Sequence, residues 1–295
     1  MGSPLEMIRS QSFPAWAARN QTFPLVREPD LQQAGVDPRL PRFLSVARAP
    51  SRSTVACLGS SSTAGRGQAF DWIGALARRP GNAHLDFRNF GVGGDLAYNA
   101  LQRLPQVSAC RPDKVVVWVG GNDVLAMVFP KLRRVLRLFK HLPREPSPDW
   151  FRENLTALAQ GLKSHAAGEI ALCSLAPIGE APNSSDPTQH TLNRLVGECS
   201  AIVADIAGAE GCRYLPVYEA LQAEFLRAPG QAFATFDFLP FYRDAVRTVL
   251  LGQSPDDVAL RNGWRLHSDG VHLNSRGGMI AADLVQGFID GVDSA

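Results

Sequence analysis

No stretch of the 295-residue sequence approaches the roughly 20 consecutive apolar residues that a helix needs to cross a bilayer, which argues against a membrane-spanning helix. No self-similarity recurs at a period of about 20–50 residues, and this excludes solenoids and propellers. Cysteine is scarce. The five present, Cys57, Cys110, Cys173, Cys199 and Cys212, are odd in number and never spaced as CxxC. Neither a zinc site nor a complete disulfide framework follows, and free thiols in a reducing compartment are expected. Net charge is also small, with 30 Lys and Arg against 28 Asp and Glu for a formal +2, so a general nucleic-acid binder is not expected. The first residues lack the apolar segment of about 7–15 residues that marks a secretory signal, and Glu6 stands where a myristoylation motif needs Ser or Thr. A cytoplasmic location is the resulting expectation.

Core-forming material is plentiful, with 45% hydrophobic residues. A chain this long can bury about three quarters of its surface on folding. Residues 1–50 are rich in proline and polar residues, with isolated aromatics such as Phe13, Trp16 and Phe23, and are expected to form an N-terminal extension. Residues 51–295 are expected to form one α/β domain, with insertions near 124–149 and 220–268. Strands are predicted over Thr54–Leu58, Leu85–Phe90, Lys114–Val119, Glu169–Leu175 and Arg213–Val217. Helices are predicted over Phe70–Arg79, Asp95–Val107, Trp150–His165, Pro187–Ala209 and Ser275–Ile289. Such alternation argues for a mostly parallel five-stranded sheet covered on both faces, a three-layer α/β/α domain. Function in such sheets collects in loops beyond the carboxyl ends of the strands.

Four polar or glycine-rich clusters occupy such places. The first is Gly59-Ser60-Ser61-Ser62-Thr63-Ala64-Gly65, after the first strand. A serine on a tight strand-to-helix turn exposes its hydroxyl beside a free backbone N–H, which suits a nucleophile. A phosphate nest and a plain helix cap are the alternatives, although GxxxxGK[ST] is not matched because Arg66 directly follows Gly65. The second is Asn89-Phe90-Gly91-Val92-Gly93-Gly94-Asp95. It fails GxGxxG at Leu96 and by itself could be an ordinary turn. The third is Gly120-Gly121-Asn122-Asp123, where an Asn amide can donate to an oxyanion or cap a turn. The fourth is Asp269-Gly270-Val271-His272, in which a carboxylate can orient an imidazole three residues on. His267, Asp256 and Asp257 lie close enough in sequence to be mistaken for these two.

Taken in this order, GxSxT, NxGxxG, GxND and a late DxxH resemble the SGNH/GDSL hydrolase superfamily over roughly residues 53–290. The resemblance implies a flavodoxin-like fold and hydrolysis of esters, lipid esters or thioesters without metal or cofactor. It places the nucleophile at Ser61, the base at His272 and its orienting carboxylate at Asp269. The oxyanion donors it implies are the backbone amides of Ser61 and Gly94 and the side chain of Asn122. One departure stands out: Ser60 occupies the position where the family usually has Asp, which leaves open how the nucleophile turn is braced. An acyltransferase with the same residues and a non-catalytic binding module are the alternative functions.

Two features bear on substrate and partners. Residues 131–144 carry six Lys or Arg and no acid, leaving 24 against 28 elsewhere. Leu132, Val135, Leu136, Phe139 and Leu142 form one face there, and Lys131, Arg133, Arg134, Arg137, Lys140 and His141 the other. Such a helix can rest on an anionic membrane, bind an acidic partner, or simply dock on its own domain with a solvated face. Five of the fifteen phenylalanines (Phe225, Phe233, Phe236, Phe238 and Phe241) fall within residues 225–241, as a pocket wall, a lid or a small satellite core.

Overall fold

The computed structural model describes residues 52–165, 168–236, 247–248 and 251–292. The expected extension over 1–50 lies outside them, as do Phe238 and Phe241. Five strands form one sheet: β1 (Ser53–Gly59), β2 (Leu85–Gly91), β3 (Lys114–Trp118), β4 (Glu169–Cys173) and β5 (Arg213–Leu215). All neighbours pair in parallel, in the order β2-β1-β3-β4-β5. The helices among the described residues are α1 (Ser61–Ala64), α2 (Trp72–Ala77), α3 (Ala97–Gln102), α4 (Leu104–Ala109), α5 (Gly121–Val128) and α6 (Pro130–Phe139). They continue with α7 (Pro148–His165), α8 (Pro187–Glu210), α9 (Val217–Arg227), α10 (Pro255–Asn262) and α11 (Ser275–Ile289).

Successive strand residues point to opposite faces, and the apolar runs of β1 and β3 therefore feed two separate cores. Ala56, Leu58, Val115 and Val117 face one core, which α3, α5, α7 and α8 cover. Val55, Cys57, Val116 and Trp118 face the other, beneath α2, α9 and α11. This is the expected three-layer α/β/α fold. Phe151 of α7 and Phe225 of α9 are sealed from solvent, and truncating either to Ala would cost about 3–5 kcal/mol.

The structure departs from the sequence reading in several places, among them the strand expected over Arg213–Val217, which ends at Leu215 so that Val217 opens α9. A single helix is expected over Asp95–Val107, but the chain breaks at Arg103 into α3 and α4. Pro105 explains the break, since it has no N–H to donate and its ring would clash with the carbonyl four residues earlier. The stretch 220–268, expected as one long connection, begins inside α9, whose Leu221 and Phe225 fill the second core.

The strand order places β2 and β3 on opposite sides of β1, so the chain leaves neighbouring strands toward opposite faces. A crevice opens between those loops at the carboxyl edge. The segments after β1, β2 and β3 that border it carry Ser61, Gly94 and Asn122.

Candidate active site

The turn after β1 depends on the absence of a side chain at Gly59. A Cβ there would come within 2.1 Å of Thr63 Oγ1 and 2.3 Å of the Trp118 carbonyl oxygen. The chain bends sharply into α1, which Ser61 opens. Several bonds brace the bend. The Ala64 amide donates to the Ser60 carbonyl at 2.9 Å, and Trp72 Nε1 to the Ser62 carbonyl at 3.0 Å. Arg103 Nη2 donates to the Gly59 carbonyl at 3.0 Å, and its Nη1 to the Phe90 carbonyl at the end of β2. Ser60 is buried, and its side chain makes no cap bond. A guanidinium reached from the helix break at Arg103 and an indole from α2 thus hold a turn that carries no aspartate.

Ser61 Oγ lies 2.7 Å from His272 Nε2, and His272 Nδ1 lies 2.7 Å from Asp269 Oδ2. A carboxylate can only accept, so Nδ1 carries the proton, and the Nε2 lone pair accepts from the serine hydroxyl. Asp269 Oδ1 is held in turn by the amides of Val271 at 2.9 Å and His272 at 2.7 Å. Burial pushes the Asp269 carboxyl up, but the charge and hydrogen bond of His272, with those two amides, outweigh it and hold the carboxyl below its ordinary value. Burial also disfavours the His272 imidazolium, yet Asp269 outweighs this and raises the ring above its ordinary 6.5. Each shift has the same origin, the attraction between buried partners.

Gly94 and Asn122 flank the serine from the other two loops. Gly94 adopts φ +77°, a left-handed conformation that favours glycine, and a Cβ there would meet Lys140 Cε at 2.9 Å. Asn122 Nδ2 donates one hydrogen to the Asp95 carbonyl at 2.9 Å, and its amide has a second to offer. Asp95 is the hub of this side of the site. Its carboxylate is 95% buried and receives Lys140 Nζ at 2.8 Å and Arg103 Nη2 at 2.7 Å. Asp123, its carboxyl pushed up to about 7 by burial against the pull of nearby amides, accepts from the Ala97 amide at 3.1 Å and ties α5 to the start of α3.

The basic helix of the sequence reading is α6, and its apolar face turns inward except at Phe139, which is exposed. Leu132 and Leu136 are buried, and with Val135 they form a wall of a cavity of about 300 Å³ that reaches Ser61 and His272. Its cations are largely engaged: Arg133 and Arg137 pair with Glu145 at 2.8 and 3.0 Å, Lys140 with Asp95, and Arg144 with Glu153. Of the phenylalanine cluster, Phe225 belongs to the second core, Phe236 lines that cavity, and Phe233 packs edge-on against Phe129 at 5.9 Å.

The neighbouring titratable residues of the sequence are elsewhere. Asp256 accepts from the Ser275 amide at 2.9 Å, and Asp257 belongs to the cap of α10 with Ser254. His267 is fully buried, with Nδ1 3.1 Å from Glu180 Oε1 and Nε2 2.9 Å from the Pro177 carbonyl. Both ring nitrogens face protein oxygens of this corner of the fold, Glu180 and Pro177. Sequence reasoning missed Glu180 and Arg103, and it put Lys140 on the charged face of the basic helix rather than against Asp95. Among the described residues no group of three or more His, Cys, Asp or Glu is placed to hold a metal ion. No described helix is long and apolar enough to cross a membrane.

Residues 57–278 match the model of the GDSL-like lipase/acylhydrolase family. A search of curated proteins finds no match. Among solved structures, the acetylxylan esterase Axe2 from Geobacillus stearothermophilus superposes with a TM-score of 0.54 at 19% identity, over 83% of this chain and 98% of that one. The acetyl xylan esterase AlAXEase gives 0.53 at 21% identity over 80% and 99%. LAE5, an α/β hydrolase from the metagenome of Lake Arreo, Spain, gives 0.53 at 18% identity over 82% and 97%. At such identities the structural likeness speaks to fold, whereas the family match spans the loops after β1, β2 and β3 together with the Asp269–His272 turn. The chain belongs to the GDSL-like lipase/acylhydrolase family and is a carboxylic ester hydrolase.

Proposed function

We propose that hydrolysis of a small-molecule ester proceeds through an acyl-enzyme on Ser61, with His272 as general base and acid and Asp269 as its orienting partner. The observation that carries this reading is the continuous relay from Asp269 through His272 to Ser61, with both links at 2.7 Å. His272 Nε2 takes the hydroxyl proton as Ser61 Oγ attacks the acyl carbon. The carbonyl oxygen gains negative charge and is held by the amides of Ser61 and Gly94 and the side chain of Asn122. Asp269 stabilises the imidazolium formed at this point. His272 then returns its proton to the departing alkoxide, and the acyl–oxygen bond breaks. Water, deprotonated by the same Nε2, attacks the acyl-enzyme, and the proton passes back to Ser61 as the carboxylic acid leaves.

The experiment compares three serines on one turn. Ser61→Ala should abolish hydrolysis of p-nitrophenyl esters and labelling by a fluorophosphonate probe. Ser60→Ala and Ser62→Ala should keep most of both. Mass-spectrometric localisation of the probe to Ser60 or Ser62 would show that the nucleophile has been misassigned.

A further inference from the structure

Two cavities meet at Ser61, and they differ both in size and in the catalytic groups they touch. The smaller, about 30 Å³, is bordered by Trp118, Val119, Leu175, Ile178 and Val271. The larger, about 300 Å³, runs beneath α6 between Leu125, Leu132, Val135, Leu136 and Phe236. Ser61 and Asn122 border both. Gly94 and His272 border only the larger.

This asymmetry assigns the two halves of the substrate. The tetrahedral carbon on Ser61 Oγ carries three further groups: the oxyanion, the acyl substituent and the departing alkoxy oxygen. Gly94 and Asn122 claim the oxyanion. The departing oxygen has to lie within about 2.6–3.2 Å of His272 Nε2, because that nitrogen returns its proton. The alcohol portion therefore extends into the cavity that His272 lines. The acyl substituent is left with the smaller one. About 10–15 Å³ of free space admits a water molecule, so about 30 Å³ suits a methyl or ethyl group better than a longer chain.

We propose that the preferred substrates are esters of a short acyl group, two or three carbons long, with a bulky apolar alcohol. This rests on the assignment of Ser61 and His272 made above. Among the described residues, the walls of the larger cavity are aliphatic and aromatic, with polar groups at its catalytic end and at Arg66 and Gln68. A sugar would leave its hydroxyls facing Leu132, Val135 and Leu136 without partners, whereas an alkyl or aryl alcohol would bury apolar surface against them. In the reaction, Ser61 Oγ gains the short acyl group, the apolar alcohol leaves with the proton carried by His272, and water completes the cycle to release the short acid.

Two ester series measured on the full chain test the assignment. In the first, acetates of methanol, butanol, hexanol and cyclohexanol are compared by kcat/KM. Each methylene carried into the cleft should raise kcat/KM by up to about fourfold over the first few carbons. In the second, hexyl acetate, butyrate, hexanoate and octanoate should show at least a tenfold fall from acetate to hexanoate. Leu175→Ala, which widens the smaller cavity, should move the acyl optimum to longer chains. Val135→Asn, on α6, should flatten the dependence on alcohol length. The wild-type series decides the question even if either variant folds poorly.

A preference for hexanoate over acetate, or for methyl over hexyl acetate, overturns the proposal while leaving the chemistry at Ser61 intact. Labelling of Ser61 by a fluorophosphonate with no turnover of hexyl acetate overturns it as well. No turnover of any ester together with no labelling of Ser61 would instead defeat the underlying catalytic assignment.

Discussion

Glu180 offers the sharpest test of how the loop that carries Asp269 and His272 is held. Its side chain is fully buried, yet one carboxylate accepts from the amides of Arg265 at 3.0 Å, Leu266 at 2.7 Å and His267 at 2.9 Å, and faces the His267 ring. The adjoining Gly179 amide donates to the Gly270 carbonyl at 2.7 Å, one residue beyond Asp269. Burial alone would push the carboxyl up, but the hydrogen bond and charge of His267 and the Leu266 and Arg265 amides overcome it and hold it at about 2, against an ordinary 4.5. That depression corresponds to about 3 kcal/mol of folding stability at neutral pH. Glu180→Gln keeps the shape but turns amide hydrogens toward backbone donors, so most of this should be lost. At this domain size, about 2–4 °C per kcal/mol converts the loss to a Tm lower by about 6–12 °C.

The sign of the pH dependence follows from the direction of the shift. A depressed carboxyl stabilises the fold above its unfolded value, and the benefit fades as pH falls from 4.5 toward 2. Wild type should thus lose about 1 kcal/mol of this contribution by pH 4 and about 2 kcal/mol by pH 3, while the Gln variant has none to lose. Urea unfolding of both proteins from pH 7 downward measures the gap. A gap below about 1 kcal/mol at pH 7, or one that stays constant as pH falls, would refute the argument.

Two further outcomes are expected. The limb of the kcat/KM profile that reports the base should have its midpoint above 6.5, because Asp269 raises His272, and His267→Ala should leave that midpoint in place while lowering stability; a midpoint that moves with His267 would identify the wrong base. Contact of residues 131–144 with anionic membranes would have to rely on Lys131 and Arg134, which have no ion-pair partner among the described residues, and on the exposed Leu138 and Phe139. At about 1 kcal/mol per cation, sedimentation with anionic vesicles should show only weak, salt-sensitive binding, and tight binding that persists in high salt would contradict this picture.

The parts of the site that are readable in the sequence are those in which chemistry and spacing are local. Asp269 and His272 share one turn, and Ser61 and Asn122 directly follow strands whose apolar runs end in glycine. The strand boundaries are legible for the same reason, because a short β-branched run closed by glycine suits a strand buried on both faces and makes a poor helix. The supporting groups are not local. Glu180 meets His267 across 87 positions, and Lys140 meets Asp95 across 45. A charged residue on an amphipathic helix looks the same in sequence whether it faces solvent or a buried carboxylate. The apolar face of α6 is equally visible, but only the packed chain shows that it faces a cavity beside Ser61. The break at Arg103 is legible from Pro105, yet nothing local indicates that the interruption carries a guanidinium to the ends of two strands.

Helix α6 has a consequence for how such an enzyme can change over evolutionary time. Its middle residues wall the cleft, while Lys140, just past its end, grips the carboxylate of Asp95, whose carbonyl positions Asn122. Asn99 Nδ2 also holds the Lys140 carbonyl at 2.9 Å, so the end of the helix is fastened at two points. A substitution that tilts α6 to admit a new alcohol would pull on these fastenings and disturb Asn122, the proposed donor to the oxyanion. Adaptation to a new substrate should therefore proceed through side-chain size at Leu132, Val135 and Leu136, with the helix axis kept in place. Insertions in the loop before α6 would tend to lose rate and selectivity together.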